Sequence, residues 1–179
     1  MTDEDLARQA KEGDHDAFAE LVRRYQGRLL SFLCYRASRA AAEDVFQDIC
    51  VKWWTHMKSY EPTGRFAAWA FTIARRTMID HSRKERGRGF LPLEGAAEIV
   101  AESAPGPSRA AESAEIGERL ARALEDLSDE QREVFLLREY AGLSFKEIAA
   151  AQGCSLNTSL ARMRYALLKL RARLEARHG

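Results

Sequence analysis

Residues 142–173 read GLSFKEIAAAQGCSLNTSLARMRYALLKLRAR, two helical stretches around a tight turn at Gly153–Cys154. Ser144 with Glu147 three residues later is a capping box, each side chain taking up a backbone N–H of the other. Gly153 suits the left-handed residue that ends a helix, and Ser155 or Asn157 can cap the next. The second helix carries Arg162, Arg164, Lys169, Arg171 and Arg173. Two helices on such a turn, the second basic, read as a DNA-reading helix-turn-helix. The second helix also offers free backbone N–H groups to phosphate at its start.

Spacing places Thr158, Arg162 and Tyr165 on one exposed stripe of that helix and turns Leu156, Met163, Ala166 and Leu170 toward a bundle. Arg162 and Arg164 reach either guanine edges or phosphates, and spacing does not separate the two roles. The alternative is a basic amphipathic helix that docks on protein.

Upstream, the pattern stays helical. Ile116, Leu120, Ala123, Leu124 and Leu127 form one stripe, and Ser128 with Gln131 is a second capping box opening a helix through Val134, Leu137 and Tyr140, closed by Gly142. The first half of the chain repeats at 3.6 residues. Phe18, Leu21, Val22, Tyr25, Leu29, Phe32 and Leu33 follow a cap at Asp14; Val45, Phe46, Ile49, Cys50, Trp53 and Met57 share the face of a helix from about Ala40 to Met57; and Phe66, Trp69, Ala70, Ile73 and Thr77 point inward from a third, about Arg65 to Lys84. Trp53 is expected in the core and Trp54 at the rim of the bundle. No stretch alternates long enough for a strand. Between Lys84 and Ser113 the periodicity fails among Gly87, Gly89, Pro92, Gly95, Pro105, Gly106 and Pro107, the signature of a linker. The expected fold is all-α: a three- to four-helix bundle over 1–86, a flexible linker over 87–112, and a helix-turn-helix module of about four helices over 113–179.

The 46% hydrophobic content of the 179 residues supports cores of this size. A net charge of +1 conceals a polarity, acidic at 1–20 and 112–133 and basic at 75–88 and 162–177. Cys34, Cys50 and Cys154 form no CxxC pair, so a disulfide framework and a zinc ribbon are not expected and a reducing cytoplasm is. MTDEDLARQAKEGD has no basic start or apolar run, and Phe66–Ala74 is too short to span a bilayer, so neither export nor insertion is expected. His15, His56, His81 and His178 are isolated, and no GxSxG, phosphate loop or EF-hand pattern occurs; no cofactor, metal, catalytic residue or small-molecule substrate is expected.

Two constellations remain. Asp44, Gln47, Asp48 and Val51 fall at i, i+3, i+4, i+7 beside the apolar face of their helix, where they either dock a basic partner or form a solvated face. Nothing near them points to a pocket for acid-base catalysis. Arg75, Arg76, Arg83, Lys84, Arg86 and Arg88 cluster toward and beyond the end of the third helix, with Phe66 and Trp69 at its start and the loop Ser59–Gly64 before it. Cations, aromatics and a loop suit a partly single-stranded nucleic acid; equally, cations complement a helix C-terminus and such aromatics fill cores.

Taken in order, these motifs resemble a known family. AEDVFQDICVKWW followed by FAAWAFTIARRTMIDHSRK looks like region two, and LSDEQREVFLLREYAGLSFKEIAAAQGCSLNTSLARMRYALLKLR like region four, of the extracytoplasmic-function (ECF) sigma factors, the smallest members of the bacterial RNA polymerase sigma factor superfamily. The resemblance covers nearly the whole chain. It implies a non-enzymatic, cytoplasmic promoter-specificity subunit. Asp44, Gln47, Asp48 and Val51 would then bind the clamp helices of the polymerase β′ subunit. Ser59, Tyr60, Thr63, Arg65, Phe66, Arg75, Arg76, Asp80 and Arg83 would recognise and open the -10 element. Ser155, Asn157, Thr158, Ser159, Arg162 and Tyr165 would read the -35 element, with region four also touching the β flap and the linker threading through the polymerase. An anti-sigma protein would cover the polymerase-binding faces. The chain departs from the family at Thr158-Ser159-Leu160-Ala161-Arg162, where Thr-Val-Lys/Arg-Ser-Arg is usual: a cation is missing, and Leu160 meets either a thymine methyl or a protein. Rival readings are an operator-binding regulator whose N-terminal helices dimerise or sense a ligand, and a helical adaptor that binds no DNA.

Overall fold

The structure is a computed structural model and describes residues 1–35, 37, 39–85 and 107–175. The described residues form eight helices: α1 (Asp3–Lys11), α2 (His15–Cys34), α3 (Arg39–Met57), α4 (Phe66–Glu85), α5 (Pro107–Glu125), α6 (Asp129–Glu139), α7 (Phe145–Gln152) and α8 (Leu156–Glu175). No strand occurs among the described residues. In the first module α1 packs on α2, α3 and α4, and those three pack on one another; in the second, α8 packs against α5, α6 and α7. The expected linker 87–112 lies outside the described residues as far as 106, as do Arg86 and Arg88, and the chain is helical again from Pro107.

Caps set the boundaries. Asp14 Oδ1 accepts the N–H groups of Asp16 and Ala17 at 2.9 and 3.0 Å, and the Ser128/Gln131 and Ser144/Glu147 boxes both form. Each such cap contributes roughly 1 kcal/mol. A third box, Thr2 with Asp5, opens α1, a helix the apolar pattern of the later segments does not announce. Gly153 has φ 64°, and the Cys154 N–H bonds Ala149 O at 3.0 Å while the Gly153 N–H bonds Ala150 O at 3.3 Å. This double closure of α7 turns the chain directly into α8.

The core of the first module is aromatic. Trp53 is fully buried, its indole N–H donates to Ala70 O at 3.2 Å, and Tyr25 meets Trp53 and Phe66 edge-on at 5.9 and 5.2 Å. Each ring pair adds about 0.5–1.5 kcal/mol beyond its buried area. Trp54 sits half-buried at the rim, stacked on His15 at 4.6 Å. The second core is aliphatic, with Leu124, Val134, Leu136, Ile148, Ala166 and Leu170 buried.

Two expected core residues lie outside. Leu156 is 39% exposed because it opens α8, where a side chain leans back past the helix end and meets no preceding turn. Ile116 is 55% exposed.

Candidate nucleic-acid and protein interfaces

Helix α3 presents two opposed faces. Val45, Ile49 and Trp53 are buried, while Glu43, Asp44, Gln47, Asp48 and Val51 are all exposed, Val51 to 65%. Val51 thus stands open beside carboxylates, so the face combines an apolar side chain with negative charge. Cys50 beside it is a free thiol whose pKa burial pushes up to about 11.

The loop between α3 and α4 is braced from α1. The Glu4 carboxylate accepts the Tyr60 hydroxyl at 2.9 Å and the Phe66 N–H at 2.8 Å, so it also caps α4. Lys11 Nζ donates to Tyr60 O at 2.8 Å and pairs with Glu61 at 3.7 Å. Burial, and then the bond to Glu4, hold the Tyr60 phenol above its usual pKa. Tyr60 and Phe66 are consequently buried, and Ser59, Thr63 and Arg65 are the exposed members of the loop. Spacing between apolar residues did not reveal this brace, since Glu4 and Lys11 read as ordinary surface charge; the Thr2–Asp5 box and the Leu6, Ala7, Ala10 stripe were the signals available.

Along α4, Arg76, Asp80 and Arg83 are exposed and Trp69 is half-buried. Asp80 also faces Lys52 of α3 at 4.0 Å. Arg75 instead reaches the second module, its Nε 2.9 Å from Glu133 Oε1. Tyr60, Arg65, Trp69 and Arg76 line one wall of a cleft of about 630 Å³ whose opposite wall is Glu147, Ala150 and Ala151 of α7.

On α8, Asn157, Thr158 and Tyr165 are exposed, Tyr165 to 58%. Ser155 is the cap, its hydroxyl accepting the Thr158 N–H at 3.1 Å. Arg162 is half-buried and donates to Gln152 Oε1 at 2.9 Å, which ties the two helices of the motif together. Ser159 is fully buried and its Oγ has no hydrogen-bond partner, because it lies on the Met163, Ala166, Leu170 stripe rather than with Thr158 and Arg162. Leu160 is 42% exposed, next to the polar stripe. Among the described residues there is no cluster of side chains suited to a metal, and no helix is long and apolar enough to cross a membrane.

Comparison with known proteins gives these two modules separate counterparts. The family model Sigma-70 region 2 matches residues 21–88 and Sigma-70, region 4 matches 117–170. The RNA polymerase sigma factor NccH of Alcaligenes xylosoxydans xylosoxydans is 31% identical over 97% of this chain and 95% of its own length. The ECF RNA polymerase sigma factor SigF of Caulobacter vibrioides is 31% identical over 94% of this chain and 91% of its own length. Among solved structures, CnrH in complex with the cytosolic domain of CnrY superposes with a TM-score of 0.70 at 29% identity, over 97% of both chains. The sigma factor RpoE in complex with the anti-sigma factor NepR from Bartonella quintana gives 0.71 at 28% identity, over 90% of this chain and 98% of that one.

Proposed function

This chain belongs to the ECF sigma factors, and we propose on that footing that it binds core RNA polymerase through α3, places the polymerase on a promoter through α4 and α8, and is held in check by an anti-sigma protein. The observation that carries the reading is the open face of α3, where Asp44, Gln47, Asp48 and Val51 stand exposed on a helix whose other side is the core of the module. The β′ clamp helices are its proposed partner.

The -10 element is assigned to Ser59, Thr63, Arg65, Arg75, Arg76, Asp80 and Arg83, and the -35 element to Ser155, Asn157, Thr158, Arg162 and Tyr165. Tyr60, Phe66 and Ser159 belong to the same surfaces but are buried in the free chain; they serve by fixing the shape of the loop and the seat of α8. The division of labour follows the boundaries 1–86, 87–112 and 113–179, with region four also meeting the β flap. Action is by binding, in the cytoplasm, with no chemistry on a small substrate. Cations on both surfaces make promoter binding fall steeply as salt rises, and tethering the modules raises the effective concentration of the second once the first engages.

Run-off transcription with purified core polymerase tests the proposal, and Asp48→Arg sharpens it. Reversing a charge on an exposed face leaves stability within about 0.5 kcal/mol but opposes a basic partner. The expected result is loss of co-purification with core polymerase and of promoter-dependent product. Retention of both by the variant refutes the assignment of the α3 face.

A further inference from the structure

We infer that Leu160 is a base-reading residue of α8, seated on the methyl group of a thymine in the major groove. The inference rests on the proposed role of α8 at the promoter, and it adds to that role an apolar contact, the residue that makes it and the base that it selects.

The rotation of α8 is fixed before DNA is met. Ser159, Met163, Ala166 and Leu170 are buried along one side of the helix. The turn before it is held by the Cys154 N–H on Ala149 O at 3.0 Å and by Arg162 Nη1 on Gln152 Oε1 at 2.9 Å. Residues three and four apart share a side of a helix, so with that stripe inside, Asn157, Leu160, Ala161 and Arg164 stand together on the outside. All four are exposed. Leu160 is 42% exposed and Leu156, one turn earlier, 39%. The two leucines form an apolar edge just after the Ser155 cap, at the end of the second helix that meets base edges when a helix-turn-helix docks on a duplex.

The neighbours of Leu160 indicate what it meets. Asn157 can exchange hydrogen bonds with base edges, and Arg164, held by no hydrogen bond or ion pair among the described residues, is free for a guanine or a phosphate. Leu160 between them offers neither donor nor acceptor. The one apolar feature that the major groove presents is the thymine methyl. Over any other base the leucine shields a polar edge from water and returns no hydrogen bond, which adds a penalty to the missing methyl contact and makes the position selective. Docking on protein would call for a continuous apolar patch, whereas Arg164 separates Leu160 from the next exposed leucines, Leu167 and Leu168. The helix also carries Arg162, Lys169, Arg171 and Arg173, a charge suited to a polyanion. Leu160 thus contributes sequence preference without charge, beside cations whose grip depends on salt.

The test uses the full chain, unmodified and as Leu160→Ala, each assembled with core RNA polymerase and allowed to select from a pool of random-sequence DNA duplexes. Because Leu160 is exposed and alanine favours helix, the variant should fold, as circular dichroism checks. The unmodified chain is expected to enrich thymine at a position of the upstream element where Leu160→Ala enriches no base. In the selected duplex, uracil in place of that thymine removes the methyl alone. This should weaken binding to the unmodified holoenzyme by about fourfold, the scale of one methyl group left in water, and leave binding to the Leu160→Ala holoenzyme unchanged. The two proteins should show the same salt dependence, since no phosphate contact is lost. Uracil tolerated at every thymine of the element, or the same upstream sequence selected by both proteins, overturns the inference. So does weaker assembly of Leu160→Ala with core polymerase in the absence of DNA, which would make the leucine a protein contact. If the unmodified holoenzyme enriches no sequence, the proposed promoter binding fails and this inference with it; an enriched element indifferent to the methyl sinks this inference alone.

Discussion

Replacing Glu4 by alanine removes an acceptor from two donors at once, the Tyr60 hydroxyl at 2.9 Å and the Phe66 N–H at 2.8 Å. A hydrogen bond to a charged group is worth about 1.5–3 kcal/mol, and since Glu4 is partly exposed the lower figure applies to each, giving a loss of about 3 kcal/mol. For a module of this size roughly 4–8 °C accompany each kcal/mol, so the transition of the first module should fall by about 15 °C in calorimetry. Glu4→Gln keeps an acceptor and should cost about 1 kcal/mol. Tyr60→Phe, combined with Glu4→Ala, completes a double-mutant cycle whose coupling isolates the phenol contact from the helix cap. With holoenzyme, the unbraced loop should slow promoter opening at temperatures where the module is still folded, measured by abortive initiation. A fall in melting temperature of less than about 3 °C, or coupling below about 0.5 kcal/mol, would refute the argument that α1 holds the loop.

Two further outcomes follow from the titrating groups. Burial is the first cause that raises the phenols of Tyr25, Tyr35, Tyr60 and Tyr140 above the usual value. Because these pKa values are raised on folding, the stabilisation is complete below the unfolded value of about 10 and is lost as pH climbs above it; alkaline unfolding should therefore begin beyond pH 10 and coincide with phenolate absorbance, and phenolate appearing well before unfolding would contradict it. The Cys50 thiol, pushed up to about 11 by burial, should alkylate slowly with iodoacetamide near neutral pH and accelerate toward pH 11, and rapid modification at neutral pH would contradict it.

The helix ends legible in the sequence were those that carry their own chemistry. Asp14, Ser128, Ser144 and Gly153 each satisfy a backbone group within a few residues, so their effect is written locally and the structure repeats it. The α3 stripe was legible as a pattern because Asp44, Gln47, Asp48 and Val51 recur at one helical period, as the buried Val45, Ile49 and Trp53 do on the other side. Helix α1 was harder to see. It is nine residues long and strongly charged, and what secures it is its packing on α2, α3 and α4 rather than its own apolar content. Ser159 shows the limit of reading a motif by type: a small polar residue between Thr158 and Leu160 looks like a DNA contact, yet the rotation of α8 that buries Met163, Ala166 and Leu170 carries it into the core.

What could not be read at all was contact across long separations in sequence. Arg28 meets Tyr140 and Ala141 more than a hundred residues away, and Arg75 meets Glu133 at a separation of 58. Arg28 does not differ in type from the arginines expected to face DNA, Arg75 is one of them, and Glu133 sits in a helix face where a carboxylate ordinarily meets water. Only packing distinguishes them. That distinction matters physically because an arginine satisfied by its own chain has already given up its hydration, and transferring it to a phosphate exchanges one anionic partner for another instead of stripping water from a free cation.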